Sequence, residues 1–172
     1  MTGIKPMRVI SQRIKGAGRK TLAVAVLPLV IAAGAAVAGP SGSAMASSTT
    51  RLQDVATLFC LDSNTSGNVY TLGCNGGNYQ NWILRPAVGF GSGFYNIVDN
   101  QTGRCLDSNA SGSVYTLGCN GGTYQVWHVS PGLGRPSTLQ DESTLFCLDS
   151  NTNGNVYTLG CNGGNFQRWQ QF

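Results

Sequence analysis

Beyond residue 46 this chain has no lysine and a single histidine, His128. Five arginines (Arg51, Arg85, Arg104, Arg135, Arg168) face seven acids, and five minus seven leaves a net charge of −2. The +4 of the whole chain therefore comes from its first 20 residues, where Lys5, Arg8, Arg13, Lys15, Arg19 and Lys20 meet no acid. A basic footprint for nucleic acid is absent from the remainder, so no nucleic-acid partner is expected. A phosphate site would find no lysine, and no glycine-rich loop precedes a helix. Helix formers are scarce and a 3.6-residue apolar period occurs nowhere, which leaves short strands and tight turns. No Cys-x2-Cys pair is present and histidine is nearly absent, so neither a zinc site nor any other cofactor is expected.

The first 46 residues read as an export signal. The basic leader is followed by an apolar run over residues 22–38, then by small residues ending in Ala44-Met45-Ala46, an A-x-A cleavage pattern with the cut before Ser47. The run is alanine-rich and broken by Pro28 and Gly34, and is short beside the roughly 20 apolar residues of a spanning helix. The reading is a cleaved signal through the general secretory route, no membrane span afterwards, and a secreted, extracellular domain over 47–172, expected to be a monomer.

That domain is written three times. CLDSNTSGNVYTLGCNGGNYQNW begins at Cys60, CLDSNASGSVYTLGCNGGTYQVW at Cys105 and CLDSNTNGNVYTLGCNGGNFQRW at Cys147. Leu52, Ile97 and Leu139 stand eight positions ahead of those cysteines, and Asp54, Asp99 and Asp141 follow two later. The copies thus extend over about 51–85, 94–130 and 138–172, separated by Pro-Gly punctuated connectors at 86–93 and 131–136. Each copy reads as four short strands: one around Leu52, then 58–62, 69–72 and 80–84 and their equivalents. Twelve strands in three equal units suggest a closed all-β structure, since one unit cannot bury its apolar face alone. Trp82, Trp127 and Trp169 are expected in the core. All six cysteines lie in the copies, each pair 14 positions apart. Six cysteines allow 15 pairings. The identical spacing makes Cys60–Cys74, Cys105–Cys119 and Cys147–Cys161 the economical set, each closing a loop worth ~3 kcal/mol. No thiol then remains for Cys–His catalysis.

Gln80-Asn81-Trp82, Gln125-Val126-Trp127 and Gln167-Arg168-Trp169 resemble the QxW repeats of ricin B-type lectins, and the Cys-Leu-Asp at 60, 105 and 147 resembles the start of the same repeats. The resemblance covers essentially all of residues 47–172. It implies a β-trefoil with pseudo-threefold symmetry, one disulfide per repeat, and a carbohydrate-binding module with up to three sites. Galactose or a related sugar is the usual ligand in that family, or xylan in bacterial enzyme-attached modules.

Strand alternation locates a site. With Cys60 facing Cys74 across an antiparallel pair, Asp62 lies opposite Leu72 and Tyr70 is its diagonal neighbour. Cys60, Asp62, Tyr70, Leu72 and Cys74 then share an outward face, while Leu61, Val69 and Thr71 point inward. In the resembled lectins the residue opposite the aspartate is a stacking ring, and asparagine or aspartate precedes the QxW glutamine. Here those places hold leucine, and Tyr79, Tyr124 and Phe166. The candidate sugar-binding residues are Asp62, Tyr70, Leu72 and Gln80, Asp107, Tyr115, Leu117 and Gln125, and Asp149, Tyr157, Leu159 and Gln167. A carboxylate accepts from vicinal hydroxyls and an apolar or aromatic surface takes the C–H face of a sugar ring. The competing role for each aspartate is a turn cap, and for each glutamine a buried hydrogen bonder. The second copy, with Ser113 and Thr123 for asparagines, is expected to be the odd site.

No catalytic residue is expected. Threefold symmetry separates the repeated aspartates by more than the ~5–9.5 Å of a glycosidase pair. The expected function is binding of galactose- or xylose-type glycans through shallow sites. The alternative is a trefoil that binds a protein through one unique loop, with 86–93 and 131–136 as candidates.

Overall fold

The computed structural model describes residues 48–172, so the expected export signal lies outside the described residues. Thirteen strands follow in order. They are β1 (Ser48–Thr50), β2 (Leu52–Asp54), β3 (Phe59–Ser63), β4 (Val69–Gly73), β5 (Trp82–Pro86), β6 (Phe94–Asp99) and β7 (Cys105–Ser108). After them come β8 (Val114–Leu117), β9 (Trp127–Ser130), β10 (Thr138–Asp141), β11 (Cys147–Ser150), β12 (Val156–Leu159) and β13 (Trp169–Gln171). Twelve are the expected four per copy, and β1 is an addition that pairs with β5. The fourth strand of each copy starts later than expected. Asn78–Gln80, Thr123–Gln125 and Asn165–Gln167 are single 3-10 turns that lead into it.

Seven strands close a barrel of six staves, β1 and β2 forming one stave between them. β1 and β2 are parted only at Arg51 and pair with β5 on one side and β13 on the other. The ring continues through β5–β6, β6–β9 and β9–β10. It closes where Ser137 and Trp169 exchange backbone hydrogen bonds of 3.0 and 2.9 Å. The hairpins β3–β4, β7–β8 and β11–β12 each join this ring through one residue pair (Gln53–Cys60, Val98–Cys105 and Gln140–Cys147) and lock together. The amides of Thr116, Thr158 and Thr71 donate to the carbonyls of Gly67, Gly112 and Gly154, each at 2.8 Å, so every copy grips the next and the third grips the first. These glycines have φ of +89°, +82° and +82°, and a Cβ on each would lie 2.7 Å from the carbonyl oxygen of Thr116, Thr158 or Thr71. Only glycine satisfies both the left-handed backbone and the close approach. The architecture is an all-β trefoil, as the resemblance implies, with one disulfide per repeat, the set that the cysteine spacing made economical.

The core is equally symmetric. Trp82, Trp127 and Trp169 are fully buried among Leu52, Ile97, Leu139 and Leu61, Leu106, Leu148. Each indole N–H donates to the carbonyl of Leu61, Leu106 or Leu148 at 3.0 Å, so the large apolar ring is buried without an orphaned donor. One position breaks the symmetry. Leu84 and Val129 follow their tryptophans by two residues, but the third copy has Gln171 there, buried, with its Nε2 unpartnered.

Asp54, Asp99 and Asp141 have a role that the sequence pattern did not assign. Each is fully buried and its Oδ1 accepts two backbone amides of the following turn, at 2.7–3.0 Å. The other oxygen reaches across a repeat boundary. Ser108 Oγ donates to Asp141 at 2.9 Å, Ser150 Oγ to Asp54 at 2.8 Å, and Ser63 Oγ to Asp99. Charge-assisted bonds contribute about 1.5–3 kcal/mol each, so this cyclic set is a second device fastening the copies into a ring.

The strand register differs from the expected one by two residues. Cys60 pairs with Leu72 and Asp62 with Tyr70, and the same holds for Cys105–Leu117, Asp107–Tyr115, Cys147–Leu159 and Asp149–Tyr157. The disulfides therefore run diagonally, with Cα atoms 5.0 Å apart, from a paired cysteine to one just beyond the ladder. The ladder ends there because the residue two before each first cysteine is left-handed: Leu58 (φ 61°), Gly103 (φ 70°) and Leu145 (φ 59°). A shift of two preserves the alternation of faces, so the outward and inward sets are as expected. What changes is the neighbour of the aspartate: a tyrosine, not a leucine.

Candidate functional site

Each hairpin carries one constellation, built from two strands and the turn that follows. Asp62, Asp107 and Asp149 sit on the second strand of their copies, only 4% exposed. The hydrogen-bond partner of each carboxylate is the glutamine of the 3-10 turn. Gln80, Gln125 and Gln167 donate from Nε2 to Oδ2 of Asp62, Asp107 and Asp149 at 2.8, 2.7 and 2.8 Å. The same Nε2 atoms donate to the carbonyls of Gly73, Gly118 and Gly160 at 3.1 Å. Their Oε1 atoms accept the backbone amides of Asn75, Asn120 and Asn162. With 0% exposure and every N–H used, the glutamines cannot meet a ligand. Their expected place among the contact residues is corrected to one behind the surface, where they hold the carboxylate and the neighbouring loop.

The carboxylates are not turn caps of the kind made by Asp54, Asp99 and Asp141. Ser63 N donates to Asp62 Oδ1 at 2.8 Å, one residue on, and no further turn amide converges there. Burial raises the Asp62 and Asp107 carboxyls above the ordinary carboxylate value, and the bonds from Gln80 or Gln125 and from the Ser63 or Ser108 amide act against it. The second acids, Asp99 and Asp141, add a smaller upward push.

Tyr70, Tyr115 and Tyr157 stand directly opposite the aspartates and are half-buried. Their hydroxyls donate to the carbonyls of Ser63, Ser108 and Ser150 at 3.1, 3.2 and 3.2 Å, which fixes each ring beside the carboxylate. Burial first, and the neighbouring aspartate second, raise all three phenols, so the hydroxyls stay protonated. Leu72, Leu117 and Leu159 lie two pairs further along, on the same face, and are about half exposed, at 50%, 50% and 51%. Aspartate, tyrosine and leucine thus share one outward face in every copy.

In the second copy these groups line an open pocket of about 500 Å³, a volume within the range of ligand sites. Asp107, Tyr115 and Leu117 contribute to it, together with Asn109, Asn120 and Tyr124. The last three were missed as contacts. Tyr124 precedes the QxW glutamine and is 37% exposed, so a second ring borders the pocket. The corresponding residues are Tyr79 and Phe166. Ser113 and Thr123, which set the second copy apart in sequence, are outside the lining, whereas Ala110 and Ser111 are part of it. Among the described residues no cluster of three His, Cys, Asp or Glu side chains could hold a metal, and no helix is long and apolar enough to cross a membrane.

The model of the ricin-type β-trefoil lectin domain matches residues 93–172. No curated protein sequence matches the chain. Among solved structures, ThreeFoil, a designed threefold-symmetric protein, is similar at a TM-score of 0.62 and 26% identity, over 72% of this chain and 96% of that one. The hemolytic lectin CEL-III is similar at 0.59 and 26% identity over 71% of this chain. The exo-β-1,3-galactanase 1,3Gal43A of Clostridium thermocellum, at 0.62 and 21% identity over 72% of this chain, shares the fold. This chain spans 29% of the length of each of the last two. Residues 93–172 are thus similar to a ricin-type β-trefoil lectin domain, and the described residues share the β-trefoil fold of these structures.

Proposed function

We propose that this protein is a secreted carbohydrate-binding module, recognising galactose- or xylose-type glycans through up to three shallow sites on its hairpins. The observation that carries the reading is the carboxylate–tyrosine pair. Asp62, Asp107 and Asp149 each stand directly across the strand from Tyr70, Tyr115 and Tyr157, on the outward face. A carboxylate takes two vicinal hydroxyls, and a ring fixed beside it takes the C–H face of the sugar. The glutamine behind sets the carboxylate before any ligand arrives, which lowers the ordering cost of binding. The domain acts by binding and not by catalysis, as a monomer, without nucleic acid. Single open sites of this size bind weakly, so affinity for a repetitive glycan comes from engaging two or three at once.

The test is binding of galactosides, xylan and other polysaccharides to the intact protein and to the triple variant Asp62→Ala, Asp107→Ala, Asp149→Ala. Loss of binding with retained β-structure supports the reading. Unchanged affinity in the triple variant, or no glycan bound by the intact protein, overturns it. A second reading has one observation in its favour. The connectors at 86–93 and 131–136 lie outside the repeated units and expose Val88 (96%) and Leu133 (44%). That is the form of a protein-docking loop, and capture of a protein that free sugar does not release would support it.

A further inference from the structure

We propose that Asn75, Asn120 and Asn162 are sites of spontaneous covalent modification, converting to aspartate and isoaspartate in the folded protein, and that the fold protects Asn153. The inference stands apart from the carbohydrate-binding reading. Four asparagines are followed by glycine: Asn75-Gly76, Asn120-Gly121, Asn153-Gly154 and Asn162-Gly163. In such a pair the backbone nitrogen of the glycine can attack Cγ of the asparagine, because no Cβ stands in the way. The nitrogen gives its proton to a base, the N–Cγ bond forms, and the side-chain nitrogen takes a proton from water and leaves as ammonia. Water then opens the cyclic imide at either carbonyl. One opening gives aspartate, and the other gives isoaspartate, with an extra methylene in the main chain.

The sequence makes the four pairs equivalent, and the fold separates them. Asn75, Asn120, Asn162 and the glycines after them are all exposed. Among the described residues the amides of Gly76, Gly121 and Gly163 have no hydrogen-bond partner, so the attacking nitrogens are free. Each asparagine Oδ1 accepts the amide of the second glycine, Gly77, Gly122 or Gly164, at 2.7 Å. That turn folds the carboxamide back over the peptide that carries the attacking nitrogen. It also sets a donor on the oxygen where negative charge develops as the N–Cγ bond forms. Asn153 lacks these features. Gly154 is buried, and its amide donates to the Asn151 carbonyl at 3.0 Å, a bond that must break before the nitrogen can attack. Its carbonyl accepts the Thr71 amide at 2.8 Å, in the interlock between the third copy and the first, which holds the backbone in place. The local amides of Asn153 and Asn155 go to Asn151 Oδ1, at 2.9 and 3.1 Å, and none polarises the Asn153 side chain. The modification has a consequence for the outward face. Asn120 lines the pocket that holds Asp107, so its product is a second carboxylate there. Three conversions take the net charge beyond residue 46 from −2 to −5, since each adds one negative charge.

The experiment incubates the intact, disulfide-bonded protein at mildly alkaline pH, where the base-dependent step is fast. Conversion at each asparagine is followed by tandem mass spectrometry of its peptides, and isoaspartate by enzymatic methylation. The reduced, urea-unfolded chain is the reference, because there the four Asn-Gly pairs differ only in their flanking residues. In the folded protein Asn75, Asn120 and Asn162 are expected to convert at least as fast as in the unfolded chain. Asn153 is expected to convert at least about tenfold more slowly than in the unfolded chain, the factor that one retained backbone hydrogen bond supplies. Protection of Asn75, Asn120 and Asn162 on folding overturns the proposal, and so does an Asn153 that keeps its unfolded rate. Neither outcome depends on whether the protein binds a glycan.

Discussion

Replacing Gln125 by methionine would remove three hydrogen bonds while keeping the length of the side chain. The Nε2 group donates to Asp107 Oδ2 at 2.7 Å and to the Gly118 carbonyl at 3.1 Å, and Oε1 accepts the Asn120 amide at 2.8 Å. Gly118 and Asn120 are exposed, so water can replace what they lose. Asp107 is 4% exposed and cannot recover its partner so easily. A hydrogen bond to a charged group contributes about 1.5–3 kcal/mol, and the two solvated ones add at most about 1 kcal/mol together, giving a loss of about 2–4 kcal/mol. For a domain of this size that lowers Tm by roughly 10 °C. The assay is thermal and denaturant unfolding with the disulfides intact. Gln80→Met and Gln167→Met should cost the same within about 0.5 kcal/mol, because each glutamine makes the same three bonds within its own copy and shares no partner with the others. A second readout is independent of stability. The Gln125 bond holds the Asp107 carboxyl down against burial, so its loss should move the acid limb of sugar binding to higher pH. A loss below about 1 kcal/mol at all three sites, with an unmoved pH profile, would refute the role assigned to the glutamine.

Gln171 gives an expectation of opposite sign. It occupies the place of Leu84 and Val129, and its buried Nε2 has no partner, while the Gly134 amide that donates to its Oε1 at 3.2 Å is exposed. Gln171→Leu should therefore raise stability by about 1–3 kcal/mol, and Leu84→Gln should lower it, both measured by denaturant unfolding. The acid behaviour of Asp62 and Asp107 separates binding from folding. Their folded-state carboxyls are raised, so the folded state holds the proton more tightly than the unfolded chain. Between the raised value and the ordinary carboxylate value, stability from these two groups grows as pH falls, while the ionised acceptor needed by a sugar disappears. Glycan affinity should thus drop on acidification above the ordinary carboxylate range while circular dichroism is unchanged; loss of binding only together with unfolding would contradict this.

The repeat determined most of the architecture by itself. Three copies with cysteines 14 apart imply one disulfide per copy, and tryptophans recurring in phase imply a shared core, because a unit this small can bury its apolar face only against its siblings. Alternation also assigned the faces correctly, since its period of two survives any even shift of register. The register itself was decided by tertiary structure. Leu58, Gly103 and Leu145 turn left-handed and end the ladder before the second cysteine, a backbone conformation that leucine does not announce. That shift puts Tyr70, Tyr115 and Tyr157 opposite the aspartates. The division of labour among polar residues was likewise invisible along the chain. Asp54 and Asp62 look alike in sequence, yet one is a buried clasp between repeats and the other a carboxylate at the outer face. Gln80 is conspicuous in the motif but buried, whereas Asn75 and Tyr79 beside it border the surface. Composition and period report which residues are inside; which polar atoms already have partners depends on what the other two copies bring to them.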